Sequence, residues 1–401
     1  MNNRISTGMM FSQSVSLMLS KQAKMSHLEQ QLATGQRLVS AKDDPVAAGT
    51  AVSLDRAVAE LDRFKSNADV VQNRLGLQEN ALSGANELMA RITELTLQAN
   101  NPALSAADLK SIGSELQTVY DSLLSLANTT DGTGRYLFGG TDDADAPFKL
   151  GNGTVSYNGD QTQRQVEVAP DTFVKDALPG SEIFLRIRTG DGTLDGAAAA
   201  GNTGNGVLTT FGLNSSSGNW NGGSYSLNFT AADQYEVLDS TGTVVSTGTF
   251  KAGEDISFEG VSMRIEGTPA AGDSFSIGPS GTRDVFSTVQ GMIDALNTAA
   301  NTPAEVANQQ NALQSGIRDI ARAAEQFIDA RSAGGAQLKA IDDAAATRES
   351  NAVTLKTTLS SIRDLDYAEA VGQYQLEQIA LQAAQTIFTQ MQQMSLFNAI
   401  R

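Results

Sequence analysis

Between Val306 and Ile362 the chain reads VANQQNALQSGIRDIARAAEQFIDARSAGGAQLKAIDDAAATRESNAVTLKTTLSSI, without a proline. Every seventh residue of this stretch is apolar except Gly334 and Arg348, in the series Val306, Leu313, Ile320, Phe327, Gly334, Ile341, Arg348, Leu355 and Ile362. A sevenfold repeat keeps one apolar stripe along a helix. The pattern therefore predicts a long α-helix of the coiled-coil type.

A second long helix is predicted from Asp44 to about Ala99. Asp44 can cap the helix, and Pro45 suits its first position. Apolar residues again recur every seven positions, as Leu54, Leu61, Ala68, Leu75, Leu82 and Met89. At ~1.5 Å per residue this helix would be roughly 80 Å long.

Further helix boundaries are marked by local signals. Asn100-Asn101-Pro102 ends the second long helix, and the capping-box pattern from Ser105 to Asp108 opens another that runs to about Ala127. These two helices should form an antiparallel hairpin. Helical periodicity returns at Asp284, and a second capping box at Thr302 to Glu305 opens the long helix described first.

The middle of the chain, roughly Gly151 to Gly281, is rich in glycine and predicts β-structure. Three runs there are rich in β-branched and aromatic residues, namely Glu182–Arg188, Tyr225–Phe229 and Val261–Glu266. Separated by Gly, Asn, Asp and Ser clusters, they predict antiparallel strands. We expect a β-sandwich or small barrel, with Ala197–Gly206 as a dividing point if it has two parts.

The predicted fold is therefore multi-domain α+β, with helical coiled-coil or bundle regions at both ends and an inserted Gly-rich antiparallel β-domain. Residues 1–43 and 363–401 would form a terminal helical domain. Residues 44–147 and 284–362 would form a long-helix bundle, and residues 148–283 the inserted β-domain.

The two ends of the chain carry matching sevenfold apolar series, offset from the long helices by a break near Asp366. We predict that they pair and that their remaining faces need neighbouring subunits, because one two-stranded seam offsets little of the entropy of ordering so many residues. The predicted assembly interface comprises Phe11, Val15, Met18, Met25, Leu32, Tyr367, Tyr374, Leu381 and Phe388.

Composition narrows the classes of function. The net charge of −17 disfavours binding to nucleic acid or anionic membranes, and the absence of cysteine excludes disulfides and thiolate chemistry. No run of about 18 apolar residues indicates a membrane span, and residues 1–10 lack the pattern of a Sec signal. His27 is the only histidine, and nothing in the sequence assembles a nucleophile, base and orienting group. We expect no catalytic, cofactor or metal site.

Two motifs carry a resemblance to a known family. Thr34–Pro45 (TGQRLVSAKDDP), continuing through Gly49, resembles the N-terminal signature of the bacterial flagellin family almost residue for residue. Tyr136–Gly140 (YLFGG), followed by Pro147-Phe148, is similar to the hook–filament junction proteins of that family. The resemblance extends to Gln393–Phe397 and covers roughly residues 1–150 and 284–401.

The resemblance implies a structural subunit of the bacterial flagellum that connects a hook-associated protein to the flagellin filament through its terminal helices. It also implies hook-associated protein 1 and flagellin as partners, self-association in a ring, and a flagellar export chaperone. The protein would leave the cell through the flagellar type III channel, without a Sec signal, and act outside the cell.

The signature itself predicts a structural bend formed by Gly35, Arg37, Asp43, Asp44 and Pro45. Gly35 can supply a backbone conformation that other residues avoid. Arg37 could donate a charge-assisted hydrogen bond to Asp43 or Asp44 across the chain reversal. The alternative is that Asp44 simply caps a helix while Arg37 is a solvated charge.

Three other functions remain as alternatives. Flagellin itself would share the fold and differ in its place in the organelle. A secreted adhesin would bind carbohydrate through its β-domain, with Trp220 and Tyr225 as a platform, on a helical stalk. A cytoplasmic coiled-coil scaffold would not explain why both ends carry matching seams.

Overall fold

The computed structural model describes residues 7–101 and 103–399, with side chains described for residues 9–101 and 103–392. Pro102, predicted to help end a helix, and the side chains of Gln393–Phe397, which carry part of the resemblance, lie outside these ranges. The helices are α1 (Thr7–Thr34), α2 (Pro45–Ala99), α3 (Ala106–Ala127), α4 (Val285–Asn297), α5 (Pro303–Arg363) and α6 (Tyr367–Ala399).

Within residues 7–101 and 103–399, the strands lie between α3 and α4. They are β1 (Phe148–Gly151), β2 (Thr154–Tyr157), β3 (Gln165–Ala169), β4 (Thr172–Lys175), β5 (Ile187–Arg188), β6 (Leu194–Ala198), β7 (Val207–Leu213), β8 (Tyr225–Ala231), β9 (Gln234–Asp239), β10 (Val244–Thr249), β11 (Asp255–Phe258), β12 (Val261–Glu266), β13 (Ser274–Pro279) and β14 (Thr282–Arg283). Every pairing is antiparallel. The predicted α+β class with a central antiparallel β-region is confirmed.

The predicted helix starts are confirmed because their caps are formed. Ser105 Oγ accepts from Asp108 N at 3.3 Å, and the Asp108 carboxylate accepts from Ser105 N at 3.0 Å. Thr302 and Glu305 make the same reciprocal pair before α5. Asp284 caps α4 by accepting from the backbone N–H of Ser287 at 2.7 Å. These bonds satisfy amides that a helix leaves free at its N-terminus.

The contacts divide the chain into two compact units, residues 1–66 with 344–401 and residues 67–343. Helices α2 and α5 contribute residues to both units. The three-region division inferred from the sequence stays a prediction.

In the unit of residues 67–343, α2 and α3 form the predicted antiparallel hairpin. A Cβ on Gly84 would lie 3.4 Å from Leu126, and Arg91, seven residues later on α2, pairs with Glu115, eleven residues earlier on α3. The two helices therefore run in opposite directions. Apolar residues of α2, α3, α4 and α5 share one core with the segment that follows α3. The hairpin therefore belongs to a larger helical core.

Phe184 lies at the centre of an aromatic cluster in this core. Its ring centroid is 5.3 Å from those of Phe138 and Phe148, 5.4 Å from Phe327 and 6.0 Å from Phe286. All five phenylalanines are buried. The segment between α3 and β6 is thus anchored to the helices by apolar packing.

The expected strand at Glu182–Arg188 is wrong over most of its length. Ser181–Leu185 forms a π-helical turn, and only Ile187–Arg188 is a strand, β5. Consecutive residues of a strand point to opposite faces, yet Ile183 and Phe184 are both buried in the same core. A helical turn can bury both. The strands expected at Tyr225–Phe229 and Val261–Glu266 are confirmed as β8 and β12.

Residues 194–279, here called the β-domain, have a core of their own. A five-stranded sheet of order β10-β9-β8-β13-β6 and a three-stranded sheet of order β11-β12-β7 both contribute to it. The expected dividing point at Ala197–Gly206 is wrong, because β6 before it and β7 after it bury residues in this one core. Phe148 and Phe184, which precede Leu194, belong to the helical core instead.

Arg74 of α2 joins two loops of the same unit through a buried ionic contact. Its Nε donates to Asp176 at 2.9 Å and its Nη1 to Asp131 at 2.9 Å. Burial raises the pKa of the Asp131 carboxyl, but hydrogen bonds from Thr133, Arg135 and Arg74 outweigh it and leave that pKa below its ordinary value. The folded chain therefore favours the charged form of Asp131.

Candidate assembly site on the terminal helices

The terminal helices α1 and α6 pair side by side in the unit of residues 1–66 and 344–401. The rings of Phe11 and Phe388 are 5.1 Å apart between centroids. Lys21 Nζ lies 2.7 Å from Glu377, and Tyr374 Oη donates to Glu29 at 3.0 Å. Residues nearer the end of α1 contact residues nearer the start of α6. The two helices are therefore antiparallel.

The residues predicted as the assembly interface lie on both helices, most of them half-buried. That group is Val15, Met18, Met25, Leu32, Tyr374, Leu381 and Phe388, whereas Phe11 and Tyr367 are exposed. Of the side chains described in α1 and α6, only Leu28 and Ala370 are buried. Sequence reasoning missed these two, although each lies three residues after a predicted residue, Met25 or Tyr367, where a heptad places its second seam position.

A second apolar surface lies on α6 away from this seam. Leu376 is 69% exposed, Ile379 63% and Ile387 58%. Their spacing of three and eight residues puts them on one helix face. Leu17 and Leu19 of α1 are also more than half exposed. Large exposed apolar side chains grouped in this way mark interaction surfaces.

The predicted bend begins where α1 ends, at Gly35. Its φ of +69° is a left-handed conformation in which a side chain is strained, and a Cβ there would lie 2.8 Å from the Tyr367 hydroxyl. Gly35 O also accepts a hydrogen bond from Leu365 N at 3.0 Å. Glycine is needed here chiefly for its conformation, because the exposed Tyr367 side chain can rotate away from a new Cβ.

Arg37 contacts the end of α5, so neither the possible hydrogen bond to Asp43 or Asp44 nor the alternative of a solvated charge describes it. Its Nε and Nη2 donate to Ile362 O at 3.1 and 2.6 Å, and its backbone N donates to Arg363 O at 2.7 Å. The last carbonyls of a helix lack intrahelical partners and carry partial negative charge. The guanidinium therefore finds a better partner across the chain than in its own loop.

Asp43 and Asp44 act on the loop between α1 and α2. Asp44 Oδ1 accepts from the backbone N–H groups of Val46 and Ala47 at 3.1 and 3.0 Å, so it caps α2 as predicted, with Pro45 at the first helical position. Asp43 accepts from Ser40 N at 2.7 Å. This backbone hydrogen bond lowers the pKa of the Asp43 carboxyl, and the nearby His27 lowers it further by a smaller amount.

The three contacts that join residues 35–37 to residues 362–365 are here called the clasp. They comprise the Arg37 guanidinium on Ile362 O, the Arg37 N–H on Arg363 O, and the Leu365 N–H on Gly35 O. The clasp ties the loop after α1 to the break between α5 and α6. The predicted break near Asp366 is confirmed, because α5 ends at Arg363 and α6 begins at Tyr367.

Over residues 7–101 and 103–399, no cluster of three or more His, Asp or Glu side chains could hold a metal ion. Within the same residues, no helix has an apolar segment long enough to cross a bilayer. A groove of about 690 Å³ runs beside the seam, lined in part by Lys24, His27, Leu28, Leu376 and Glu377.

The aromatic pair suggested as a carbohydrate platform does not form one, because only Trp220 of the two is partly exposed. Tyr225 is buried in the core of that domain, and Trp220 packs against the same core. The indole Nε1 of Trp220 donates to Gly223 O at 2.9 Å. These residues are anchors of the β-domain, so the observation that suggested an adhesin is lost.

Comparison with known proteins identifies relatives for both ends of the chain. Residues 5–143 match the bacterial flagellin N-terminal helical region, and residues 317–400 match the bacterial flagellin C-terminal helical region. Flagellar hook-associated protein 3 of Salmonella typhimurium is 27% identical, over 99% of this chain and 100% of its own.

Solved structures give a closer match. FlgL of Xanthomonas campestris is 64% identical with a TM-score of 0.73, over 77% of this chain and 99% of its own. The flagellar junction protein FlgL of Legionella pneumophila is 28% identical with a TM-score of 0.69, over 79% of this chain and 100% of its own. Three flagellin sequences, by contrast, align with only 28% to 33% of the length of this chain.

Proposed function

Since the chain belongs to the family of flagellar hook-associated protein 3, or FlgL, and is a structural subunit of the flagellar junction, we propose that α1 and α6 are its assembly element. In this proposal the half-buried seam holds the two helices together, and their exposed apolar residues pack against neighbouring subunits. The bend residues and the clasp keep the pair joined to the end of α5.

The observation that supports this proposal is the apolar surface that α1 and α6 leave open. Leu17, Leu19, Leu376, Ile379 and Ile387 are each more than half exposed. Fully burying a side chain of this kind contributes about 1.5–3 kcal/mol, so covering the exposed part of all five contributes on the order of 5 kcal/mol. Contacts with neighbours can therefore supply the stability that a lone helix pair lacks.

We propose that different parts of this apolar surface contact different flagellar proteins. We propose hook-associated protein 1 on one side of the junction, flagellin on the other, and further copies of this chain in a ring. Before assembly an export chaperone would cover the exposed residues. Export would follow the flagellar type III route to the outside of the cell, without a Sec signal. The role is structural, with no catalytic step and no cofactor.

The proposal is tested by making the α6 surface polar. Leu376, Ile379 and Ile387 are changed together to Gln and compared with Leu213→Gln, an equally exposed leucine on the β-domain. In cells lacking the native gene, the triple variant should be exported yet fail to retain filaments, so that flagellin appears in the medium. Leu213→Gln should support normal filaments.

Circular dichroism of both purified variants checks that their folds are intact, which is expected because the substituted residues are exposed. Normal filaments carrying the triple variant would exclude this surface of α6 from assembly. The triple variant retained inside the cell would locate its defect before assembly.

A further inference from the structure

The β-domain meets α5 along a row of polar side chains. Asn308, Asn311, Arg318 and Asp319 are spaced so that they lie on one face of the helix. Asn311 Oδ1 accepts from Leu208 N at 2.9 Å, and its Nδ2 donates to Gly206 O at 3.0 Å. One amide thus pairs with the backbone at the start of β7, much as a neighbouring strand would.

Two segments, residues 189–193 and 280–283, connect the β-domain to the rest of its unit and are here called the neck. They are held to each other by Thr189 N, which donates to Gly281 O at 3.2 Å, and by Ser280 N, which donates to Thr193 O at 2.8 Å, while β5 pairs with β14 next to them. Asp319 of α5 fixes both segments. It accepts from Gly190 N at 3.0 Å and from Arg283 Nη1 at 2.7 Å.

Asp319 is suited to be a fixed point. Its side chain is 3% exposed, and it joins both segments of the neck in one place. Asn311 lies eight positions earlier on the same helix, which corresponds to about 12 Å along its axis. The β-domain is therefore attached at its neck and, separately, along α5, where the Asn311 bonds are shorter than the 3.4 Å bond from Asn308 to Asn202 O.

The contact between the β-domain and α5 is open beside the Asn311 attachment. A cavity of about 690 Å³ lies there, mostly on the side of Asn311 away from Asp319, lined on the β-domain by Val207, Thr209 and Glu266 and on α5 by Val306, Gln310 and Gln314. Arg318 Nε and Nη1 and Asp195 Oδ1 are buried without hydrogen-bond partners. Well-packed interfaces avoid both features. Besides the Asn311 bonds, separating these surfaces would break two contacts of Arg318: a long hydrogen bond from its Nη2 to Gly196 O at 3.4 Å and its stacking over the Phe211 ring at 4.9 Å.

The described residues of the β-domain core and of the helical core do not overlap. We propose that the β-domain is a hinged body that pivots at the neck on Asp319 and is latched against α5 by the Asn311 amide. Opening the latch exposes polar groups that water can satisfy and leaves both cores intact. The β-domain can then change its orientation in response to neighbouring subunits.

The experiment measures the distance between α5 and the β-domain. The chain has no cysteine, so spin labels can be placed at Lys251→Cys and Asp329→Cys, both exposed positions, and their distance distribution measured by pulsed electron resonance. It is compared for the otherwise native chain, for Asn311→Ala, and for the control Asn351→Ala at an exposed position of α5.

Asn311→Ala should broaden or shift the distribution, and Asn351→Ala should not. Hydrogen exchange of the Leu208 amide should become about tenfold faster, as expected for loss of one hydrogen bond. Protection of β8 and β13 should stay unchanged, because their core does not depend on the latch.

Two results would overturn the proposal. One is an unchanged distance distribution in Asn311→Ala. The other is loss of protection throughout β8 and β13, which would make the latch part of the β-domain core. If Asn311→Ala does not fold, Asn311→Leu decides: it keeps the size of the side chain and loses both the acceptor for Leu208 N and the donor to Gly206 O, so a folded chain with a native distribution also overturns the latch.

Discussion

Replacing Gly35 by alanine should weaken the clasp through the backbone. At φ +69° an alanine is disfavoured by about 1–2 kcal/mol. The new Cβ would also lie 2.8 Å from the Tyr367 hydroxyl. Because Tyr367 is 56% exposed and can rotate away, this clash adds little. A cost of about 1–2 kcal/mol corresponds to a factor of 5–30 in the opening equilibrium.

Hydrogen exchange of the purified chain measures this opening directly. Amides of residues 35–37 and 362–366 should exchange faster in Gly35→Ala by that factor. The matched control is Gly372→Ala, within α6, where no atom lies within 4 Å of the new Cβ. Alanine is favoured over glycine in a helix by roughly 0.5–1 kcal/mol, so this control should slow exchange in α6.

The two substitutions are chemically identical and should have opposite signs. Adding Tyr367→Phe to Gly35→Ala removes the hydroxyl and should recover only the small steric part. If Gly35→Ala leaves exchange at the clasp unchanged or slows it, the backbone argument is refuted. Full recovery by Tyr367→Phe would show that steric contact, and not φ, sets the cost.

Arg74→Met should destabilise the chain by about 3–5 kcal/mol in denaturant unfolding at neutral pH, because it leaves the buried Asp176 carboxylate without its cationic partner and removes one of the hydrogen bonds to Asp131. The loss should shrink in acid, since the lowered pKa of Asp131 stabilises the fold at neutral pH and that contribution disappears as pH falls through the folded-state pKa; equal losses at both pH values would contradict this. Phe184→Ala should cost about 3–5 kcal/mol by the same assay, and a loss below about 1 kcal/mol would argue against its central place in the core. Lys21→Glu or Glu377→Lys alone should speed exchange in α1 and α6, and the two together should restore it, with an effect of at most about 1 kcal/mol because the pair is partly exposed.

The helices could be predicted because their signals are local. Caps such as Ser105 and Asp284, the proline at Pro45, and the sevenfold apolar repeats each act within one or two turns of chain. The same repeats identified most of the seam between α1 and α6. They could not separate the half-buried residues from the two buried ones, because burial depends on how closely the partner helix approaches.

The missed features depend on distant partners. Arg37 was expected to contact its own loop, yet its partner Ile362 lies 325 positions away. Phe184 was read as a strand residue because β-branched and aromatic residues favour strands, and the helical core overrode that preference. The role of Asn311 could not be predicted from the sequence, because an asparagine on a helix bonds to a strand only if the fold places that strand opposite it.

The clasp also has a kinetic consequence. Its contacts join residues near the two ends of the chain, with Arg37 and Ile362 separated by 325 positions. Closing so large a loop is entropically costly unless the intervening chain has already become compact. The bend should therefore form late in folding, after α2, α5 and the residues between them have become compact. In a refolding molecule the two ends of the chain would join only after the rest has folded.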